Sequence, residues 1–194
     1  GTSRIVAKAL RDAILLPLST GTNNVFPYRL EASVAGIAAG VVASGRLPWE
    51  QYCKRCKTVQ IKTEQHEDIA LIDAVLLEND FIGSLLPFAA KNLKTIVLTR
   101  AEPASIGISP IGGLLLPSTH HDDFGVTVHC AQDATRQINV AISPGLHENV
   151  GIRSINQLTL DEPLLLQGPG ILAFDGDRSI KLSHGETATL TVRR

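Results

Sequence analysis

The chain has 194 residues, a length at which a folded domain buries a sizeable apolar core. Its 44% hydrophobic and 19% charged residues are the proportions of a globular protein rather than of a disordered one. The formal net charge is -1, so the protein lacks the positive field that would attract nucleic acid or an anionic membrane. We therefore expect neither as a partner.

Cysteine count and apolar run lengths bear on the compartment. Three cysteines do not form an even set, which argues against a disulfide framework and favours a reducing environment. The best candidate for a membrane helix, Ala32–Ala43, is shorter than the roughly 20 apolar residues that a span requires. The first residues also lack the pattern of a signal peptide. These features predict a cytoplasmic protein.

The first part of the chain, residues 1–47, has the pattern of an α/β layer. Apolar residues at near-helical spacing predict a helix over Thr2–Arg11, and the apolar run Ala13–Leu18 is typical of a strand buried in a parallel sheet. The turn-forming segment Ser19–Asn24 follows. A second helix is predicted over Leu30–Ser44, with Gly45 ending it. Its apolar stripe comprises Leu30, Val34, Ile37 and Val41.

From residue 48 to residue 194 the pattern changes to many short strands separated by turns. Such spacing is typical of a β-sandwich or barrel-like domain. In the last predicted strand, Ala188, Leu190 and Val192 alternate with threonines and are expected to face the core. The predicted strands are Lys57–Thr63, Ile69–Leu77, Thr95–Thr99, Val126–Cys130, Ile138–Ile142, Leu164–Leu166, Ile171–Phe174, Ser179–Leu182 and Thr187–Val192.

Two polar segments near the start of the chain have the chemistry of an anion or nucleotide site. Gly1 and Thr2 open a predicted helix, whose free backbone N–H groups can bind an anion, although an ordinary capping pair looks the same. Pro17–Asn24 follows the predicted parallel strand, at the sheet edge where ligands bind in open α/β folds. It offers hydroxyls, carboxamides and a glycine; a loop capped by its own side chains is the alternative.

Three features of the second part are further candidates. Ala104–Gly113 spaces glycines among hydroxyl-bearing residues and could form a backbone-lined bed for a nucleotide, or a plain connection. Phe174–Asp177 contains Asp-Gly, which first of all predicts a hairpin turn. Asp73 lies inside an apolar run, where a buried carboxylate requires a partner. We expect it to accept a hydrogen bond from the protein or from a ligand hydroxyl.

Metal-binding patterns are weaker. Cys53 and Cys56 have the spacing of a zinc or redox pair, but a second pair is missing from the sequence and Cys130 alone does not complete a four-ligand site. Neighbouring residues within His120–Asp123 point to opposite sides of an extended chain, which favours a solvated loop. We predict no metal ligands among them.

Taken in order, these segments resemble motifs of the ATP-NAD kinase-like family, in the NAD kinase and diacylglycerol kinase superfamily, and most closely its acetoin-catabolism X branch. Gly1-Thr2 is similar to the end of the family's Gly-Gly-Asp-Gly-Thr motif, and Leu16–Pro27 to its second motif. Ala70–Asp73 resembles the Asn-Glu ribose segment, with Ile72 in place of Asn. Pro103–Gly113 stands where the family has Thr-Gly-Ser-Thr, and Phe174–Asp177 is similar to its carboxyl-terminal Asp-Gly element.

The resemblance implies the carboxyl-terminal remainder of a NAD-kinase-like fold: a Rossmann-like α/β slice over residues 1–47, followed by an all-β, sandwich-like domain over residues 48–194. It implies Mg²⁺-ATP as cofactor, NAD as a candidate substrate, a small-molecule acceptor, a homo-oligomer, and a catalytic Asp upstream of Gly1. It places nucleotide- and acceptor-binding residues at Gly1, Thr2, Ser19, Thr20, Gly21, Thr22, Asn23, Asn24, Asp73, Ser105, Gly107, Ser109, Gly112, Gly113 and Asp175.

Two functions follow from the resemblance. The first is phosphoryl transfer from ATP to a hydroxyl, in which the protein positions the reactants and neutralises charge. The alternative is a nucleotide-binding, regulatory protein of acetoin catabolism that transfers no phosphate, which Ile72 and the loose match of Pro103–Gly113 favour. A lipid kinase is disfavoured, because the aromatic content is 4% and an apolar loop is missing from the sequence.

Overall fold

The computed structural model describes residues 2–19, 26–78, 89–176 and 178–194, and over them the chain is mostly antiparallel β-sheet with few helices. The helices are α1 (Thr2–Ala9), α2 (Ala32–Ala43), α3 (Trp49–Tyr52) and α4 (Ser109–Gly113), with a 3₁₀ turn at Ala90–Asn92. Within this part of the chain, none of the helices has the length and apolar character needed to cross a bilayer.

Eleven strands are present among the described residues. They are β1 (Thr58–Lys62), β2 (Glu67–Ala70), β3 (Asp73–Leu77), β4 (Leu93–Leu98), β5 (Phe124–Cys130), β6 (Arg136–Ser143), β7 (Leu146–Thr159), β8 (Pro163–Gln167), β9 (Gly170–Phe174), β10 (Arg178–Leu182) and β11 (Thr187–Arg193). The nine short strands predicted from alternation are thus confirmed in position, except that one of them is divided in two.

The strands form two sheets. Four of them pair in the order β2-β1-β11-β8, and seven pair in the order β10-β9-β3-β4-β5-β7-β6. Every pairing between the strands is antiparallel. The chain crosses from the smaller sheet to the larger one between β2 and β3, which places Leu71 and Ile72 at a junction of the two sheets.

A shared apolar core joins the sheets. It combines side chains of β1 and β11 from the smaller sheet with those of β3, β4 and β9 from the larger one. Ala188, Leu190 and Val192 are fully buried in it, as the alternation in β11 predicts. A second core on the larger sheet packs Ile111 of α4 against Val126 and Val128 of β5. Strands β3 and β4 of the larger sheet are therefore buried on both faces.

The predicted parallel strand over Ala13–Leu18 is wrong. This segment has no regular secondary structure, and its described β-pairing is a single isolated parallel bridge between Leu18 and Tyr28. Within the described residues no strand pairs along its length, so its backbone groups lack the partners that a buried strand requires. Ile14, Leu15 and Leu16 are accordingly exposed. The Rossmann-like α/β slice is not confirmed.

Helix α2 ends before Gly45, as the sequence predicts, and begins at Ala32 rather than at Leu30, but its apolar stripe does not face a core. Glu31 caps it by accepting a hydrogen bond from the Val34 amide at 3.0 Å, and Gly45 follows it with a φ of +69°. Ile37 is nevertheless 68% exposed, while Ala35 is the buried residue of the helix. Helix α1 is tied to β2 instead, through Arg4 and Lys8, which both contact Asp68.

Candidate functional site

The segment between β2 and β3 is held in place by a carboxylate from a distant turn. The predicted strand Ile69–Leu77 is interrupted here, at Leu71 and Ile72. The Asp175 carboxylate accepts hydrogen bonds from the Leu71 amide at 2.7 Å, the Ile72 amide at 2.9 Å and the Asp73 amide at 3.4 Å. The Asp175 amide donates in turn to the Asp73 carbonyl at 3.1 Å. The structure therefore brings two predicted site residues, Asp73 and Asp175, into one network.

Asp175 also forms the hairpin turn that its Asp-Gly pattern predicts. Its φ is +50° and that of Gly176 is +70°, and the turn joins β9 to β10. Asp and Gly are among the residues that adopt this left-handed region most readily. One residue thus combines a turn conformation with an anionic anchor for the junction of the sheets.

Asp73 has an altered acidity in this network. Its side chain is only partly exposed, and desolvation together with the neighbouring Asp175 charge raises the pKa of Asp73 to about 7. A carboxyl group that titrates near neutral pH can hold or release a proton under physiological conditions. A raised pKa is the property expected of a group that accepts a proton from a ligand hydroxyl.

On the other side of Leu71, Thr99 fastens the same junction. The Thr99 hydroxyl donates to the Leu71 carbonyl at 2.7 Å, and the Thr99 amide donates to the Ile72 carbonyl at 2.9 Å. Thr99 follows the end of β4, so the next residue, Arg100, leaves the sheet at the same place. This anchoring holds the backbone from which the Arg100 side chain extends.

Arg100 is buried although it is charged. The residue is 5% exposed, and its guanidinium lies 5.1 Å from the centroid of the Phe26 ring and donates from Nη2 to the Phe26 carbonyl at 3.3 Å. Glu102 approaches Arg100 Nη1 at 3.5 Å, and that carboxylate is itself 40% exposed. Ser109 holds the backbone of this turn, because its hydroxyl donates to the Arg100 carbonyl at 3.1 Å.

Lys57, the residue before β1, is a second buried cation. It is 2% exposed, and its Nζ donates to the Phe124 carbonyl at 2.6 Å and to the Ser118 hydroxyl at 3.4 Å. Burial, with smaller contributions from the positive charges of Arg194 and Arg100, lowers the pKa of Lys57 to about 8, although the Asp122 carboxylate acts in the opposite direction. Lys57 thus lies within the electrostatic reach of Arg100.

His120 completes the group. Desolvation lowers the pKa of His120, and the neighbouring charges of His121, Arg100 and Lys54 act in the same direction. The loop that carries His120 is held by Arg194, whose Nη2 donates to the His121 carbonyl at 2.9 Å. His120 and Lys57 therefore share Arg100 as a neighbouring cation.

These side chains surround one narrow cleft at the junction of the sheets, here called the cationic cleft. Its free volume is about 10 Å³, room for about one water molecule. Two wall residues, Leu71 and Thr99, belong to the network of Asp73 and Asp175. The lining residues are Phe26, Cys56, Lys57, Leu71, Thr99, Arg100 and His120.

Residues at the start of the predicted polar loop pair with a residue that follows it, and one residue of this neighbourhood lies at the cleft. The Ser19 amide donates to the Tyr28 carbonyl at 2.8 Å, and the Tyr28 amide donates to the Pro17 carbonyl at 2.9 Å. Phe26, two residues before Tyr28, lines the cleft. Gly1 and the loop residues Thr20, Gly21, Thr22, Asn23 and Asn24 lie outside the described residues. Thr2 is exposed at the start of α1, and among the described residues no hydrogen bond joins it to the network of Asp73 and Asp175.

The predicted bed over Ala104–Gly113 has a packing role in the structure. Ser109, Gly112 and Gly113 are buried in or beside α4, where a β-carbon at Gly113 would lie 2.5 Å from the Pro103 nitrogen. The Gly107 amide donates to the Ala141 carbonyl at 2.9 Å, and the Ser105 hydroxyl donates to the Glu102 carbonyl at 2.8 Å. The contribution of these residues to the cleft is indirect, through the turn that carries Arg100.

The metal-type patterns do not converge. Within the described ranges, no three His, Cys, Asp or Glu side chains are grouped as metal ligands. Cys53 and Cys56 are free thiols, and burial raises the pKa of Cys130 to about 12. A wider open groove of about 480 Å³ lies elsewhere, lined by the β1–β2 turn, β10 and Lys8. One of its acidic residues, Asp68, is paired with Lys8.

Sequence reasoning missed the two residues that give the cleft its charge. Lys57 and Arg100 are each a single basic residue at the end of a predicted strand, a pattern that surface positions share. Their burial depends on β1 and β4 lying in different sheets whose ends meet, and alternation does not report the pairing of distant strands. The one sequence feature that could have indicated them is that each lies directly at the end of a predicted strand.

The fold and the cleft define a β-rich domain of two antiparallel sheets with buried cations where the sheets join. The chain belongs to the family of the Acetoin catabolism protein X C-terminal domain, which matches residues 57–194. It is also 31% identical, over 200 aligned positions, to Acetoin catabolism protein X from Cupriavidus necator. That match covers 99% of this chain and 56% of the relative, so the chain spans little more than half of the relative's length. The wider resemblance to NAD kinases stays a prediction.

Proposed function

We propose that this chain is a nucleotide-binding, regulatory protein of acetoin catabolism that does not itself transfer phosphate. The name of its family and of its relative supplies the link to acetoin catabolism. The absence of phosphoryl transfer in this proposal is supported by the burial of residues that would position an acceptor. Ile72 is 5% exposed, and Ser109, Gly112 and Gly113 are packed against the protein.

The nucleotide site in this proposal is the face formed by the cationic cleft and the ends of the polar loop. Leu71, Thr99 and Phe26 meet there, and Ser19 and Phe26 flank the loop that the resemblance assigns to nucleotide. Asp175 holds the backbone of this face in place, because its two carboxylate oxygens accept hydrogen bonds from the amides of Leu71 and Ile72. A ligand bound here meets a surface whose backbone is fixed before binding, which lowers the entropic cost of binding.

Binding and turnover, measured separately, test the proposal. Isothermal titration of the protein encoded by the gene with ATP, ADP and NAD, each with and without Mg²⁺, should give saturable binding of at least one nucleotide. A phosphoryl-transfer assay with ATP and either NAD or acetoin should give no product. Asn23→Ala should weaken nucleotide binding, whereas the exposed Asn139→Ala should not. Absence of nucleotide binding would overturn the proposal.

A second candidate, phosphoryl transfer to a hydroxyl, is favoured by Asp73. A carboxyl group with a pKa of about 7 is suited to accept the proton of an attacking hydroxyl. In that case NAD, acetoin or another small hydroxyl compound would be phosphorylated, and Asp73→Asn would slow the reaction by roughly 10²–10⁴-fold with little effect on ATP binding. A phosphorylated product would replace the regulatory proposal with this one.

A further inference from the structure

We infer that the cationic cleft is a phosphoryl-group site, in which Lys57, Arg100 and His120 bind the anionic oxygens of the ligand. The inference deepens the proposed function and rests on it for the nucleotide, since it assigns the phosphates of that ligand to named side chains. The same chemistry would accept free phosphate or pyrophosphate. Neither the family match nor the resemblance assigns a role to these three residues.

The first argument is the excess of buried positive charge. Lys57 is 2% exposed, and its described hydrogen-bond acceptors are a neutral carbonyl and a neutral hydroxyl. Among the described residues no carboxylate lies within ion-pair distance of its Nζ. Buried charges are normally paired, because leaving water without a counter-charge is costly. An anionic ligand would supply the missing counter-charge.

Nearby carboxylates offset this charge only in part. Asp122 accepts from the Thr119 amide at 2.7 Å and from its hydroxyl at 2.8 Å, and Asp123 pairs with Arg194 at 3.0 Å. Both attract Lys57 from a distance and favour its charged form. Glu102 forms an ion pair with Arg100 at 3.5 Å from a partly exposed position. The neighbourhood of the cleft therefore keeps a positive potential.

The second argument is the geometry of Arg100. Its guanidinium is held against the Phe26 ring, and one of its nitrogens donates a long bond of 3.3 Å to the Phe26 carbonyl. A guanidinium presents a rigid fork of donors that matches two oxygens of a phosphate, and such charge-assisted bonds are stronger than a bond to a neutral carbonyl. A phosphate can thus replace the Phe26 carbonyl as the partner of Arg100.

The size of the cleft sets a condition on binding. A free volume of about 10 Å³ does not hold a phosphoryl group, so the Phe26 side chain must move away from Arg100 when the ligand enters. Phe26 is half-buried, and its ring contacts the guanidinium by a single cation–π interaction. Charge-assisted bonds from two or three cations exceed that loss. Phe26→Ala should therefore increase phosphate affinity.

The test is pyrophosphate and ATP binding by isothermal titration, in the protein encoded by the gene and in three variants. We expect Arg100→Gln and Lys57→Met each to raise the Kd of both ligands at least tenfold, and the exposed control Arg153→Gln to leave it unchanged. Circular dichroism and thermal unfolding verify that each variant is folded. If Lys57→Met does not fold, Lys57→Gln and the Arg100 variant carry the test.

The outcomes separate this inference from the proposed function. Pyrophosphate binding that both variants weaken, without any nucleotide binding, would support the anion site and overturn the proposed function. Nucleotide binding that both variants leave unchanged would overturn the anion site and leave the proposed function standing. Absence of pyrophosphate and nucleotide binding would overturn both. Affinity that falls with rising salt in the native protein, and falls less steeply in Arg100→Gln, would further support direct contact.

Discussion

Asp175 anchors more of the backbone at the junction of the sheets than any other described side chain. Asp175→Ala removes the acceptor of three backbone amides, at 2.7, 2.9 and 3.4 Å, in a partly buried place. Unsatisfied buried donors cost about 1–3 kcal/mol each, so we expect a loss of roughly 3 kcal/mol in the free energy of unfolding. Urea unfolding monitored by circular dichroism measures it.

The control for this change is Asp161→Ala. Asp161 has a similar left-handed backbone, with a φ of +65°, but its carboxylate makes an exposed ion pair with Arg193 at 2.8 Å. Both variants carry the strain of alanine at positive φ, whereas only the Asp175 variant loses buried amide partners. Equal losses of stability in the two variants would show that the conformation matters and the carboxylate anchor does not.

Asp73 makes stability depend on pH in a defined direction. Its pKa rises from 3.8 to about 7 on folding, so the folded state binds the proton more tightly than the unfolded state. The contribution of this group is fully present below about pH 4 and is lost as the pH rises to about 7. Asp73→Asn should therefore be more stable than the native protein at pH 8, by on the order of 2 kcal/mol, and not at pH 4.

The comparison is made as the difference in the free energy of unfolding between the variant and the native protein at each pH. Taking the difference removes the opposite slope of groups such as Asp68, whose pKa is lowered on folding. Asp133→Asn, at an exposed ion pair with Arg153, is the matched control and should show little slope. A difference for Asp73→Asn that stays constant from pH 4 to pH 8 would contradict the raised pKa.

At this scale the sequence identified Asp73 and Asp175 as unusual, because each breaks a local pattern: a carboxylate in an apolar run, and an Asp-Gly turn. It did not identify Lys57 and Arg100. The hydrogen-bond partners of Lys57, for example, lie 61 and 67 residues away in the sequence. A residue that is buried only by distant elements leaves no trace in the residues beside it.

At the scale of elements, short-range alternation located the strands well and failed where the pattern was mixed. Strand β7 is the longest, at 14 residues, and was not predicted. Its sequence Leu146–Thr159 is largely polar and exposed, so apolar alternation does not reveal it. The strand is held instead by backbone hydrogen bonds to β5 and β6. The run Ala13–Leu18 failed in the opposite sense, because an apolar run alone does not supply a partner strand.

Helix α4 provides a prediction at this scale, since its glycines permit close packing. A β-carbon at Gly113 would lie 2.5 Å from the Pro103 nitrogen and 2.6 Å from the Glu102 carbonyl carbon, and these backbone atoms cannot easily shift. We expect Gly113→Ala to destabilise the protein by about 2 kcal/mol and to weaken ligand binding, because Glu102 and Pro103 lie shortly after Arg100. Thermal unfolding and titration measure the two effects.

Gly36→Ala is the matched control for this variant. Gly36 lies in α2, and a β-carbon there meets no atom within 4 Å. Alanine has the higher helix propensity, so this change should stabilise the helix by about 0.5–1 kcal/mol. If both substitutions changed the stability in the same direction, close packing would not be the reason that glycine is required at position 113.

At the scale of the whole molecule, apolar side chains are distributed unevenly. Large exposed hydrophobic residues are concentrated before residue 53, whereas residues 57–194 contain both apolar cores. The sequence predicted a change of pattern near Leu47 and a sandwich-like second part, since alternation reports which faces are buried. It did not predict that α2 would leave its apolar stripe exposed, because a stripe indicates that a helix packs but not against what.

This distribution predicts that residues 57–194 fold without the segment before them. The interactions removed with that segment are chiefly polar: the ion pairs of Arg4 and Lys8 with Asp68, and the packing of Phe26 on Arg100. The Lys8 pair is half-exposed and contributes about 1 kcal/mol or less. Arg4 is buried, but removing the segment takes away this charge and returns Asp68 to water, so a protein of residues 57–194 should unfold cooperatively with a Tm within about 5 °C of that of the chain. It should also bind less of an apolar dye, because Ile37, Val34 and Leu30 are gone. A soluble but non-cooperative product would show instead that the first segment completes the core, and the cationic cleft would then depend on it for folding as well as for Phe26.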